Sequence, residues 1–346
     1  MQPKRTVKLS DIARESGVSI STVSLVLRNK PGIPAETRQR VMNVARGLGY
    51  RPKRSNTRAA ASSQLHNFGL VLKSDSDTSP QANPFYSHVL AGIEDACRRR
   101  NINLLYATLQ VDAENRPVDI PRILVDETID GMLLVGLFLD KGLNAVLEQI
   151  ASPVVLVDAY ALEGKFDAVL TDNVQGAEQA VDYLIEHGHR KIAMVGGHQN
   201  FFPSICERHQ GYQRALQAHG IQEVYFADSQ SLFGEEVLPV VTQLLQQHPD
   251  ITALFGCNDD FALAAMRAAQ ALGRRIPEDL SVIGFDNIDV AKHVTPALTT
   301  MHVDKAAMGW LAVQLLVNRI ENPESDPVTS LLRTRLVVRD SVRRIA

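Results

Sequence analysis

The chain has 346 residues, of which 45% are apolar and 22% are charged, so it can form two or three domains and is not a disordered polypeptide. Its net charge of −3 conceals an asymmetry, because residues 1–64 carry 13 Lys and Arg against 3 Asp and Glu, whereas the remainder carries 23 against 36. A basic end of this kind indicates a polyanionic partner, and nucleic acid is favoured over an anionic membrane surface.

Residues 1–50 are predicted to form three short helices. Apolar spacing places helices at residues 9–16 and 20–27, with a break at Gly17, and a third from about residue 34 to 48. Two short helices joined at a glycine and braced by a third are typical of a helix-turn-helix DNA-binding domain. The alternative is a three-helix bundle that only packs against the rest of the chain. The side chains expected to face inward are Leu9, Ile12, Ala13, Val18, Val23, Val26, Leu27, Val41, Val44, Ala45 and Leu48.

The second helix has the side chains that a recognition helix needs. A helix that enters a major groove about 12 Å wide must expose small polar groups, and apolar ones can contact thymine methyls. The candidate contacts in and around this helix are Ser19, Ile20, Ser21, Thr22, Ser24, Leu25 and Arg28.

Residues 65–346 alternate between apolar runs and amphipathic stretches, which favours doubly wound parallel α/β sheets. The predicted strands are 68–72, 102–107, 131–138, 153–158, 168–171, 191–196, 224–227, 253–256 and 281–285, and the predicted helices are 85–99, 174–187, 207–219, 235–247 and 259–272. Nine or more strands are more than a single sheet of this kind usually contains, so we expect two subdomains.

Polar residues gather where these strands end, which is where parallel sheets bind ligands. Carboxylates, an amide and a guanidinium suit the vicinal hydroxyls of a polyol, and aromatic faces suit a sugar ring or a nucleobase. For any one of these residues helix capping is the simpler role, but together they predict a polyol-type site. They are Asp75, Asp77, Phe85, Tyr86, Asp158, Arg208, Asn258, Asp259 and Asp286.

Several classes of protein are not supported. No run approaches 18 apolar residues and no apolar segment follows the first eight residues, so we expect a cytoplasmic protein without a membrane partner. The three cysteines are far apart, which argues against a disulfide framework or a zinc site. The sequence lacks a glycine-rich phosphate loop, a nucleophile elbow and an HExxH motif, so we expect no cofactor, no metal and no catalytic residue.

The N-terminal motif resembles that of the LacI/GalR family of bacterial regulators. Residues 11–24 read DIARESGVSISTVS, and residues 37–52 match the continuation of the family pattern. The core is similar to the ligand-binding domain of the same family, which is itself similar to periplasmic sugar-binding proteins. The matching segments are residues 83–86, 172–177, 189–192, 208–212, 257–264, 276–286 and 296–300.

This resemblance implies a domain organisation. It comprises a helix-turn-helix domain (1–50), a hinge or linker (51–64) and a core (65–346) with three crossovers near 160, 290 and 325. The N-subdomain would then be residues 65–160 and 291–325, and the C-subdomain residues 161–290 and 326–346.

The resemblance also implies functional positions. Ile20, Ser21 and Leu25 occupy base-reading positions, and Leu25 is a departure because arginine is common there. In the family a leucine of the hinge wedges open the minor groove. Ala59, or Ala60 if counted back from the core, takes that place here and is too short to wedge, although Arg54 and Arg58 can enter a minor groove; a flexible basic linker is the alternative. The family's effector contacts carry over to Phe85, Tyr86, Asp158, Arg208, Asn258 and Asp286.

The sequence is therefore interpreted as a transcriptional regulator, with a repressor favoured. A homodimer would bind double-stranded operator DNA with two half-sites, and a small effector in the core would control its affinity. A carbohydrate effector is favoured over a nucleobase. The alternatives are a sugar-binding or sugar-modifying α/β protein with an accessory basic head, and an exported binding protein, which the missing signal peptide disfavours.

Overall fold

The computed structural model has two compact units, Met1–Gln64 and Leu65–Ala346. The structure describes residues 8–27, 33–48, 66–74, 83–111, 117–126, 128–147, 150, 152–162, 165–197, 202–228 and 237–345. None of the helices within these ranges has the length and apolar character needed to span a membrane. The predicted hinge at 51–64 lies outside the described residues.

The N-terminal unit is a helix-turn-helix arrangement, as the sequence predicts. Its helices are α1 (Leu9–Ser16), α2 (Ile20–Leu27) and α3 (Ala35–Gly47). Gly17 ends α1 with a φ of 67°, a left-handed conformation that glycine adopts without steric cost. The Ser19 hydroxyl accepts a hydrogen bond from the Thr22 backbone N–H at 3.0 Å and so caps the start of α2.

The core of this unit consists of the predicted apolar stripe. Ile12, Val23 and Val41 are fully buried, one from each helix. Leu48 does not join them, because α3 ends at Gly47 and the Leu48 side chain beyond it is exposed. The prediction that Leu48 faces inward was wrong.

The larger unit contains fourteen described strands and seven described helices. The strands are β1 (His66–Ser74), β2 (Ile102–Gln110), β3 (Gly131–Val135), β4 (Phe138–Leu139), β5 (Val154–Val157), β6 (Tyr160–Ala161), β7 (Asp167–Thr171), β8 (Ile192–Val195), β9 (Tyr225–Ala227), β10 (Ala253–Gly256), β11 (Ser281–Asp286), β12 (Thr299–His302), β13 (Thr329–Leu332) and β14 (Arg335–Val337). The helices are α4 (Tyr86–Arg99), α5 (Lys141–Leu147), α6 (Asn173–Glu186), α7 (Pro203–Ala218), α8 (Leu238–Gln247), α9 (Asp259–Ala271) and α10 (Lys305–Glu321).

These elements form two subdomains, each built on a six-stranded sheet. The first sheet is parallel throughout, in the order β13-β7-β5-β3-β1-β2. The second has the order β14-β12-β11-β10-β8-β9, with only β14 antiparallel. The central strands β3, β5, β8 and β10 are buried along their whole length, which explains their continuous apolar runs. The predicted fold class of two doubly wound subdomains is confirmed.

The chain passes between the two subdomains three times, at residue 172, at residues 303–304 and at residues 333–334. At the first crossing, β7 lies in the first sheet and the following helix α6 packs on the second. At the second crossing, β12 lies in the second sheet and α10 packs on the first. At the third, β13 belongs to the first sheet and β14 to the second. Each crossing is later in the chain than the positions predicted near 160, 290 and 325. Those three positions are corrected here, because apolar runs locate strands without showing which sheet they join.

Every predicted strand and helix of the core is present, but others were missed. The sequence analysis did not identify α5, α10, β6 or β12 to β14, and it placed one strand at 131–138 where the structure has β3 and the separate strand β4. Helix α7 begins at Pro203 rather than at residue 207. Helix α10 is buried or half-buried on most of its circumference, so its apolar residues show little helical periodicity. The residues of the short edge strands β13 and β14 are exposed or half-buried, so these strands lack the fully buried face that would mark them.

The close packing of α4 on α10 provides a test of the fold. A Cβ atom at Gly92 would overlap the backbone carbonyl of Ala306. We expect Gly92→Val to lower the free energy of unfolding by about 2 kcal/mol, since backbone cannot move aside as a side chain can. The measurement is urea denaturation followed by circular dichroism.

Gly142→Ala is the control, because the nearest atom to its Cβ would be the Asp140 Oδ1 at 3.4 Å, an ordinary contact. This variant should unfold at the same urea concentration as the parent or a higher one. Equal losses in the two variants would contradict the packing of α4 on α10.

Candidate functional site

A cleft of about 160 Å³ lies between the two subdomains of the larger unit. Its walls come from the ends of β1, β5, β10 and β11, from the start of α4 and from the first turns of α7. It is lined by Lys73, Asn83, Pro84, Phe85, Tyr86, Gly136, Asp158, Phe202, Ser204, Ile205, Arg208, Asn258, Asp259, Asp260, Asp286 and Ile288. The structure thus brings all six residues that the resemblance marked as effector contacts into one cavity. Asp75 and Asp77 lie outside the described residues.

Arg208 is the central cation of the cleft. It lies in the second turn of α7, is only 5% exposed, and its guanidinium stacks over the Phe285 ring at 3.9 Å from the centroid. Its N–H groups donate to the Asn173 side-chain oxygen at 2.9 Å, to the Cys257 carbonyl at 2.6 Å and to Asp286 Oδ1 at 3.1 Å. A guanidinium has five N–H groups, so two are not used by the residues that the structure describes.

Asp158 and Tyr86 form the opposite wall. The Tyr86 hydroxyl donates to Asp158 Oδ2 at 3.1 Å. Burial raises the pKa of Asp158 to about 7, because the charged carboxylate loses its water, although the nearby Arg208 charge works in the other direction. Asp158 also has a φ of 46°, an uncommon conformation for a residue with a side chain that is found at binding sites.

Asp286 is held from two sides. Its side chain is paired with Arg208, and its backbone carbonyl accepts a hydrogen bond from the buried Lys305 ammonium at 2.5 Å. Lys305 also donates to the carbonyls of Asn287 and Val303, both at 3.3 Å. Burial raises the pKa of Asp286, with Arg208 and Lys305 opposing the rise. The left-handed φ of Asp286, 102°, is therefore stabilised by an ammonium from α10 of the other subdomain.

The two acidic walls leave hydrogen-bond acceptors for a ligand. Asp158 uses Oδ2 with Tyr86, and Asp286 uses Oδ1 with Arg208, so within the described part of the chain one oxygen of each carboxylate is left. The Asn258 side-chain oxygen caps α9 by accepting from the Phe261 N–H at 2.9 Å, which leaves its amide N–H groups as donors. The cleft can therefore accept hydroxyls at two carboxylates and donate from an amide and a guanidinium.

The apolar surface of the cleft comes from aromatic rings set at right angles. Phe85 and Tyr86 pack edge to face, with centroids 5.2 Å apart, and Phe202 packs in the same way on Tyr160 at 5.6 Å. Pockets for drug-sized ligands occupy about 300–1,000 Å³. The cavity here, at about 160 Å³, is smaller and fits a compact ligand.

Of the predicted site residues, Asn258 has the helix-capping role that was the simpler alternative, and a different structural role falls to Asp259. It is 1% exposed and accepts hydrogen bonds from the Thr300 hydroxyl at 2.5 Å and the Ile288 backbone N–H at 2.8 Å. Both bonds tie the start of α9 to the neighbouring strand and loop. Its burial raises its pKa to about 8.

The candidate DNA-reading residues lie at the start of α2 and along its outer face. Ile20 and Leu25 are 52% and 41% exposed, which is unusual for such large apolar side chains. Ser21 is also exposed, whereas Thr22 and Ser24 are half-buried. Ser19 is exposed but is partly engaged in the cap of α2. Arg28, Arg54, Arg58 and Ala59 lie outside the described residues.

The sequence analysis missed several residues of the cleft. Phe202 and Ser204 precede the predicted start of α7, and Lys73 is a single cation at the end of β1, so no pattern marked them. Asn173 was noted only as part of a family match. Lys305 belongs to α10, a helix that was not predicted. Across the described residues, no group of three or more His, Cys, Asp and Glu side chains is arranged to hold a metal ion.

Comparisons with known proteins agree with this architecture. Residues 8–53 match the family described as bacterial regulatory proteins, lacI family, and residues 181–342 match the periplasmic binding protein-like domain. The ribose operon repressor of Haemophilus influenzae is 34% identical, over 96% of this chain and 98% of its own. A structure described as the transcriptional regulator CelR–cellobiose complex is 31% identical, with a TM-score of 0.68 over 97% of this chain and 99% of its own. A LacI family transcriptional regulator from Enterococcus faecium with bound ribose is 25% identical, with a TM-score of 0.69 over 81% of this chain and all of its own.

The buried carboxyl of Asp158 predicts a pH-dependent stability. An unfolded aspartate has a pKa near 3.9, so between about pH 4 and 7 the folded protein holds a proton that the unfolded chain has lost. This group therefore lowers stability as pH rises through that window. We expect the stability of Asp158→Asn relative to the parent to rise by about 2 kcal/mol from pH 5 to pH 8, as measured by urea denaturation.

Asp119→Asn is the control, because Asp119 is exposed. Its stability relative to the parent should not change between the two pH values. A relative stability of Asp158→Asn that stays flat or falls with pH would show that Asp158 is not held in its protonated form by burial.

Proposed function

We propose that this chain, which belongs to the lacI family of bacterial regulatory proteins, is a transcriptional repressor. A carbohydrate bound in the cleft would set its affinity for operator DNA. The observation that carries the proposal is the convergence of Phe85, Tyr86, Asp158, Arg208, Asn258 and Asp286 on one cavity. An effector that binds there contacts both subdomains and so favours one relative orientation of them.

The chemistry of the cleft favours a sugar over a flat heterocycle. Two carboxylates with an oxygen to spare suit hydroxyl donors, and a guanidinium with two unused N–H groups suits hydroxyl or ring oxygens. The bound cellobiose and ribose of the two similar structures support the same class of ligand.

The N-terminal unit is proposed to read DNA. Ser19, Ile20, Ser21, Thr22, Ser24, Leu25 and Arg28 would face the major groove, and Arg54, Arg58 and Ala59 the minor groove. The large exposed side chains of Ile20 and Leu25 support apolar contacts with thymine methyls. The excess of ten positive charges in residues 1–64 would neutralise phosphates.

The regulator is proposed to act as a homodimer on a two-fold symmetric operator, because each helix-turn-helix reads one half-site. Acting on the chromosome places it in the bacterial cytoplasm, associated with the nucleoid. Its relatives are transcriptional regulators, and we assign the cleft to sensing rather than to catalysis. Effector and operator must then alter each other's affinity reciprocally, by about 1–3 kcal/mol.

Thermal unfolding against a panel of sugars, sugar phosphates, nucleosides and purines tests the sensing role. A ligand at about 100 times its dissociation constant adds about 2.7 kcal/mol, which raises Tm by several degrees. We expect a sugar to raise Tm, and we expect Arg208→Ala or Asp286→Ala to abolish the shift while operator binding is retained. A sugar whose Tm shift survives both substitutions would overturn the assignment of these residues.

Arg275→Ala is the matched control, because Arg275 forms another arginine–aspartate pair, with Asp279 at 2.9 Å, on the exposed surface of the second subdomain. This variant should show the full Tm shift. Loss of the shift here as well would mean that the response reports general stability.

Operator binding is predicted to depend strongly on salt. An operator selected from random DNA should be bound at least about 10-fold more weakly at 200 mM than at 50 mM salt, since each phosphate contact releases counterions. Leu25→Ala should weaken binding by about 1–3 kcal/mol without changing this salt slope, because it removes a base contact and no charge. Binding that is insensitive to salt would contradict the role of the basic residues.

A further inference from the structure

A cluster of polar side chains joins the two subdomains beside the first crossing of the chain. The Tyr160 hydroxyl donates to Glu207 Oε2 at 3.1 Å, and the Asn173 side-chain N–H groups face the same carboxylate at 2.9 Å and the Tyr160 hydroxyl at 3.2 Å. These three side chains, here called the hinge triangle, are each within hydrogen-bond distance of the other two.

The members of the hinge triangle belong to different parts of the core. Tyr160 begins β6, which pairs with β4 in the first subdomain. Glu207 lies on α7, which packs with α6 against the second sheet. Asn173 is the first residue of α6, directly after the crossing at residue 172. The two bonds of Tyr160 therefore join the subdomains, whereas the Asn173–Glu207 bond lies within the second one.

The triangle is also tied to the cleft. Asn173 is 1% exposed, and its side-chain oxygen accepts a hydrogen bond from Arg208 Nε at 2.9 Å. One planar amide thus has its oxygen on Arg208 and its nitrogen on Glu207, with the Tyr160 hydroxyl and the Thr171 carbonyl both at 3.2 Å from the same nitrogen. Buried hydrogen bonds polarise one another, so a ligand that accepts a hydrogen bond from the Arg208 guanidinium alters the bonds of the triangle.

We propose that the hinge triangle is a latch that sets the relative orientation of the two subdomains and couples it to occupancy of the cleft, with Tyr160, Asn173 and Glu207 as positioning residues. They act through Arg208 and are not assigned to contact with the effector. The coupling rests on the proposed sensing function, whereas the latch itself is a property of the ligand-free protein.

Hydrogen exchange of the full-length, ligand-free protein tests the latch. Tyr160→Phe keeps the ring against Phe202 and removes only the hydroxyl. Exchange should become at least about fivefold faster in peptides that span the crossings at 172, 303–304 and 333–334, while peptides from the centres of both sheets keep their protection. Unchanged exchange, or an equal increase throughout both sheets, would overturn the latch, because the second result indicates a general loss of stability.

Two further variants separate the hydrogen bond from packing. Glu207→Leu removes the acceptor and should loosen the same peptides, whereas Glu207→Gln keeps an acceptor oxygen and should stay close to the parent. Tyr225→Phe is the matched control, because the Tyr225 hydroxyl donates to Glu223 at 2.6 Å on the surface of the second subdomain. It removes a bond of the same type and should leave exchange at the crossings unchanged.

A double-mutant cycle tests the link to the cleft. If Tyr160 and Arg208 act through one amide, Tyr160→Phe and Arg208→Lys together should speed exchange at the crossings less than the product of their separate effects. Multiplicative effects would refute the link.

Tyr160→Phe should also change the dissociation constant of the selected operator by at least about threefold, and an unchanged value would refute transmission to DNA. If the parent protein selects no operator, the proposed function fails, while hydrogen exchange still decides the latch.

Discussion

The buried ion pair of Arg208 and Asp286 is the interaction around which the core is organised. Taking a guanidinium and a carboxylate out of water is costly unless each is paired and its remaining groups are hydrogen-bonded. The chain meets this requirement with the carbonyl of Cys257 just after β10, with the Phe285 ring under the guanidinium and with the Asn173 amide at the start of α6. The cleft is thus an arrangement that neutralises one buried cation and leaves part of its hydrogen-bonding capacity for a ligand.

Residues that follow two of the crossings contact the same ion pair. Lys305 begins α10 just after the second crossing and holds the backbone of the loop that carries Asp286, while Asn173 follows the first crossing and holds Arg208. Lys305 and Asn173 therefore belong both to the crossings between the sheets and to the hydrogen bonds that hold the ion pair of the cleft. A rotation between subdomains cannot leave the binding residues unchanged, and this is the physical condition for linkage between cleft and DNA.

Much of this architecture could be predicted from the sequence, because its strands and helices carry local signals. The buried strands read as short apolar runs, and the N-terminal helices are marked by apolar spacing and by Gly17. What could not be predicted depends on contacts between distant segments. Nothing local shows that β7 pairs with β5, so the crossings were placed too early. Phe202 and Lys305 enter the cleft only because helices α7 and α10 start where the structure places them, and Leu48 is exposed because α3 ends one residue before it.

The interleaved path of the chain has a consequence for how such a protein can diversify. Neither subdomain is a continuous stretch of sequence, since each takes segments from both sides of a crossing. A single recombination event between related genes therefore cannot exchange one whole subdomain for another. It would replace part of both subdomains, and each would then combine segments from two different proteins. The N-terminal unit, in contrast, is contiguous and divides from the core at one point. New operator specificities can be acquired by exchanging whole modules, whereas new ligand specificities must arise by substitution within an intact core.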